Sequence, residues 1–145
     1  MLNKDILFPV GAAMMVLGVG GVVFGGLASA NAVTIVKIAT VVYSIGAVLF
    51  AAIQMSQTYE GNNIVIRRLR RIMVMGDICF IIAALLMIEN NFMILFPYMA
   101  RTIDGYNNWI HYVYNNWVVA LLIAAILEMY TTHRISYETK KDMPQ

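Results

Sequence analysis

Four apolar runs, at about residues 9–30, 33–55, 72–96 and 110–130, constrain this chain more than any other feature. A helix rising 1.5 Å per residue needs about 20 residues to cross the roughly 30 Å hydrocarbon layer of a bilayer, and each run is long enough. The spacers between them are short, which places all four runs in one domain. Composition agrees: 61% of the 145 residues are hydrophobic and 12% are charged, with a mean hydropathy of +0.73. Ordinary soluble domains carry about 25% charged residues. The sequence therefore predicts an all-α polytopic membrane protein, an antiparallel bundle of four transmembrane helices.

The first run is preceded by Lys4 and closes on Ala28-Ser29-Ala30, an A-x-A pattern like that of a secretory signal peptide. Its apolar stretch exceeds the roughly 7–15 residues of a signal core, so it is read as a retained helix. Asn31 and Ala32 alone separate it from the second run, which implies a tight hairpin. Residues 56–71 form a polar connection, 97–109 an aromatic and amide-rich loop, and 131–145 a polar tail expected to fray beyond Tyr137.

Orientation follows from the basic residues. Lys4, Arg67, Arg68, Arg70, Arg71, Arg134, Lys140 and Lys141 fall on one side of the four spans, and Lys37 and Arg101 on the other. The richer side is expected to be cytoplasmic, with both termini inside. Arg67, Arg68, Arg70 and Arg71 fix that topology and are candidates to attract anionic lipid, each at about 1 kcal/mol near the surface. A net charge of +2 with so local a basic cluster excludes a nucleic-acid groove.

Gly18, Gly21 and Gly25 share one face of the first helix, where small residues permit close helix approach. Their partner is either the second helix, with its small Gly46 and Ala47, or the same helix of a second copy. Either a homo- or a hetero-oligomer is compatible with this face.

Charges inside a bilayer are candidate functional groups, so their depth matters. Asp77 lies about 8 Å and Glu128 about 3 Å inside the basic ends of their runs. Ion pairs are expected there, Asp77 with an arginine and Glu128 with Arg134. Lys37 and Glu89 permit a similar pair at the opposite end. The midplane around Gly20, Ser44, Ala83 and Leu121 carries no charge. A coupling-ion role usually needs a deep acid, so the acids are read as structural. The small multidrug carriers also have four short helices but depend on a glutamate in the first, and residues 9–30 contain no acid.

Tyr-Asn-Asn-Trp occurs twice, at Tyr106 to Trp109 and Tyr114 to Trp117. If the intervening chain is helical, both copies share a face, and Tyr106, Trp109, Tyr114 and Trp117 form a candidate outer binding strip; an aromatic belt at the interface explains the rings as well. His111 and His133 stand too far apart to clamp one haem. The single cysteine, Cys79, permits no disulfide or CxxC pair, and no HExxH, GxSxG or Walker run is present. Neither a metal nor another cofactor is expected, and no enzyme activity.

Ile66 to Met73 with Gly76-Asp77, together with Trp117 and Leu127 to Ile135, resembles small bacterial inner-membrane proteins of no assigned activity. That resemblance, confined to the second half of the chain, implies a bacterial inner membrane and no chemistry. The leading expectation is a non-catalytic accessory or scaffold subunit of a larger membrane assembly. The alternative is a small oligomeric channel or transporter, and third comes a lipid-directed enzyme.

Overall fold

A computed structural model describes residues 4–25, 27, 30–57 and 61–142. The helices are α1 (Lys4–Gly25), α2 (Ala32–Ser56), α3 (Ile64–Phe92), α4 (Phe96–Met99), α5 (Ile103–Tyr112) and α6 (Trp117–Asp142). Among the described residues four segments are long and apolar enough to cross a membrane: Asp5–Gly25, Ala32–Ser56, Ile64–Phe92 and Ile103–Lys141. The chain is a multi-pass helical membrane protein.

Helix ends depart from the hydropathy reading wherever local backbone chemistry decides. α1 starts at Lys4, with Asp5 in its first turn where the helix dipole favours an anion, and ends at Gly25. The proposed end of the first span at residue 30 is not reached; Ala28 and Ser29 lie outside the described residues. α3 begins eight residues before the expected start because Asn63 caps it, its side chain accepting from Val65 N at 2.9 Å. The arginine run is therefore helix rather than loop. At the other end Met93 takes a left-handed conformation (φ 53°) and stops α3 at Phe92.

Within the fourth segment, in the run expected to be helical over 110–130, residues 113–116 form a turn with Asn115 at φ 57°, so α6 starts at Trp117. Beyond Tyr130 the helix does not fray at Tyr137: α6 runs to Asp142. It is supported by an Arg134–Glu138 pair at 3.3 Å and by Lys140 and Lys141 in its last turn.

Extensive packing joins α1 to α2, α2 to α3 and α3 to α6. Residue partners show that each pair runs antiparallel: Gly11 faces Gly46 while Gly25 faces Ile35, Gln57 meets Arg70 while Thr40 meets Asn91, and Asn90 meets Asn115 while Gly76 meets Leu127. The glycine face of α1 lies against α2. A Cβ at Gly18 stands 2.5 Å from Tyr43 Cβ, and one at Gly21 stands 2.5 Å from Ala39 Cβ. Both spacings are too short for real side chains, so the glycines set the interhelical distance. Gly21→Leu is expected to reduce the yield and thermal stability of folded protein far more than Leu17→Ala, whose side chain is 70% exposed. Equal stabilities would contradict a tight α1/α2 seam.

Met15, Tyr43, Ala47, Phe80, Ala83, Ala84, Met87, Trp117 and Ala124 form the buried core. On one face α1 and α6 flank a lateral cleft of about 570 Å³, floored by Tyr43, Phe50 and Phe80 of α2 and α3. In water such a cleft would be a defect. In a bilayer it opens onto hydrocarbon.

Candidate functional site

At the aromatic end, Glu89 does not pair with Lys37. Its carboxylate accepts from Leu95 N (2.8 Å), Phe96 N (2.9 Å) and Trp109 Nε1 (3.1 Å), tying α3, α4 and α5 together. Lys37 instead lies over the Phe92 ring at 5.6 Å. Three N–H donors suit a carboxylate as well as a cation does, and the turn after Met93 brings two of them to Glu89. The aromatic strip is corrected as well. The turn at residues 113–116 breaks the helix between the two copies, and both tryptophans point inward, Trp109 at 3% and Trp117 at 6% exposure. Tyr106 and Tyr114 remain exposed. Trp109 packs against Phe96 with centroids 4.8 Å apart, and Trp117 joins the core.

The expected ion pairs at the basic end are likewise absent. Arg134 bonds Glu138 and lies over Tyr137, and Arg70 donates to the Gln57 carbonyl at 3.3 Å. The neighbour of Asp77 is Glu128: the two carboxyl groups face each other across the α3/α6 interface. Helical spacing puts them there. Met73, Gly76, Asp77 and Phe80 form the buried face of α3, and Gly76 leaves room for Glu128, whose Oε1 stands 3.4 Å from where a Cβ would be.

Gln54 of α2 completes the group, its amide donating to Glu128 Oε2 at 3.1 Å. Asp77 is 0% exposed. Four buried oxygens lack any donor: both of Asp77, Glu128 Oε1 and Gln54 Oε1. Such groups are costly to leave unsatisfied in a low-dielectric interior. Two carboxylates offer acceptors only, so the cluster needs a proton or another cation.

Depth and access add to this. Asp77 lies thirteen residues below Asn90, the level where Asn90 Oδ1 meets Asn115 N. That is about 20 Å at 1.5 Å per residue, inside a hydrocarbon layer of roughly 30 Å. Glu128 lines the foot of the lateral cleft, whose other walls are Ala12, Met15, Val16 and Val19 of α1 and Leu121, Ala125 and Met129 of α6. It also borders a second recess of about 580 Å³ toward the basic end, beside Phe8, Thr132, His133 and Ser136. His111 lies on α5, on the other side of the turn at residues 113–116 from α6 and His133. Among the described residues no three His, Cys, Asp or Glu side chains are placed to hold a metal ion.

Sequence reasoning singled out the two acids and missed that they face each other. Gln54 was missed too, although it is the one amide in the second apolar run. Of the arginine run, Arg67, Arg70 and Arg71 converge on a recess between α2 and α3, and Arg68 does not. No family model, curated protein or solved structure matches this chain. Fold and site define a multi-pass helical membrane protein in which buried Asp77 faces half-buried Glu128, and Glu128 lines the foot of a lateral apolar cleft.

Proposed function

We propose that the chain is a small membrane carrier, acting as an oligomer, that exchanges protons for lipophilic organic cations at Asp77 and Glu128. One observation carries this reading: the buried carboxyl of Asp77 faces the half-buried carboxyl of Glu128 with no basic side chain between them, and an apolar lateral cleft reaches Glu128. A proton and an organic cation relieve the same repulsion, so binding one weakens binding of the other, and that competition is the root of coupling. Tyr43, Phe50 and Phe80 give the cleft aromatic faces, which attract cations as well as apolar groups. Its volume lies within the roughly 300–1,000 Å³ range of small-molecule sites. No enzymatic step and no cofactor enter this reading.

Proteoliposomes test it. With the membrane potential clamped at zero, a pH gradient acid inside should drive uptake of tetraphenylphosphonium, and dissipating the gradient should stop it. Uptake equal to that of empty liposomes would contradict the carrier.

A second reading, the non-catalytic accessory or scaffold subunit, is favoured by the lateral openness of the cleft, where a partner's helix could lodge a basic side chain against Glu128. Stable co-purification of a second membrane protein, lost in Glu128→Gln, would select it.

The basic end is proposed to face the cytoplasm, supported by the eight-to-two distribution of Lys and Arg. The resemblance of the second half points to a bacterial inner membrane. A reporter active only outside the cytoplasm should give signal when inserted after Gly105 and none when fused to Gln145; the reverse pattern would invert the orientation.

A further inference from the structure

The arginine run next to α2 has a geometry that the carrier reading does not use. Arg67, Arg70, Arg71 and Val74 follow at helical spacings of three, one and three, so they share one face of α3. That face and the end of α2, through Gln54, Met55 and Gln57, enclose a recess of about 480 Å³. Its polar lining is rich in donors: three guanidinium groups and two amides, with no carboxylate among the lining residues.

One guanidinium is only partly satisfied. Arg70 Nη1 reaches the Gln57 carbonyl, while its Nε is buried without an acceptor. This is the inverse of the acid pair nearby, a donor-rich pocket wanting an anion with several oxygens. Guanidinium forks match the oxygens of phosphate. Met55, Met73 and Val74 form its apolar lining, and Met73 and Val74 follow the arginines along α3 away from its basic end.

We infer that this recess seats the phosphate of an anionic glycerophospholipid, with Arg67, Arg70 and Arg71 holding the headgroup and Met55, Met73 and Val74 bordering the acyl chains. The source is a lipid rather than free phosphate, because the charged and apolar walls adjoin at the level where α3 enters the bilayer. Arg68, outside the recess, takes no part beyond general surface charge.

Purified protein in neutral detergent provides the test, with lipid retention counted by native mass spectrometry and thermal stability measured alongside. Phosphatidylglycerol should be retained and raise the melting temperature, whereas phosphatidylcholine and inorganic phosphate should do neither. Each of Arg67→Gln, Arg70→Gln and Arg71→Gln should weaken phosphatidylglycerol binding about fivefold. Arg68→Gln should bind as wild type does. Equal weakening in Arg68→Gln would reduce the effect to surface charge and overturn the site. Stabilisation by inorganic phosphate would overturn the lipid assignment. Should a recess variant fail to fold, wild type and Arg68→Gln still decide by whether they retain phosphatidylglycerol over phosphatidylcholine.

Discussion

Asp77→Asn is expected to melt no lower than wild type and to lose proton-driven cation uptake entirely. In the structure Asp77 meets another acid, and neither of its oxygens has a donor. An asparagine of the same shape brings an N–H group to Glu128. A hydrogen bond to a charged group is worth about 1.5–3 kcal/mol, so removing the carboxyl replaces repulsion with attraction. An ion pair with arginine predicts the opposite, since the cation would be left unpaired and the melting temperature would fall. Melting curves in detergent, read beside flux in proteoliposomes, separate the two. A loss of flux explained by unfolding would count against the carrier.

Glu89→Ala is expected to cause the largest loss of stability of any single carboxyl truncation in the chain. Its carboxylate satisfies Leu95 N, Phe96 N and the indole of buried Trp109. Each buried donor left unpaired costs about 1–3 kcal/mol. Leu95 is exposed, so water recovers part of its share, and a total on the order of 3 kcal/mol remains. Glu89→Gln, which keeps one acceptor oxygen, should fall between the two. Lys37→Ala should stay within about 0.5 kcal/mol of wild type, as for most surface changes. A large, non-additive coupling between Lys37→Ala and Glu89→Ala in thermal unfolding would restore the ion pair that the structure lacks.

These two acids show what was legible in the sequence. Hydropathy located the four crossings, because burying backbone in hydrocarbon leaves helices almost alone as an option. The periodic glycines marked the α1 face that meets α2. Helix ends were less legible, since they turn on single residues: the Asn63 cap, the left-handed Met93 and Asn115. Partner choice was least legible of all. Charge sign alone suggested that acids near arginines would pair with them, but Arg70, on the same side of α3 as Asp77, stands two turns or about 10 Å away and turns to the Gln57 carbonyl, while Arg134 bonds Glu138. The carboxylate of Glu89 found N–H groups brought by a turn that no hydropathy window detects. Likewise, the repeated Tyr-Asn-Asn-Trp looked like one strip only while the chain through residues 113–116 was taken as helix.

Proton release on cation binding tests the central claim most directly. Tetraphenylphosphonium added to purified protein in weakly buffered neutral detergent should acidify the solution in proportion to the cation bound. Asp77→Asn and Glu128→Gln should each abolish the release while remaining folded. Tight binding with no release of protons, or release undiminished in both variants, would contradict an acid pair that trades a proton for a cation.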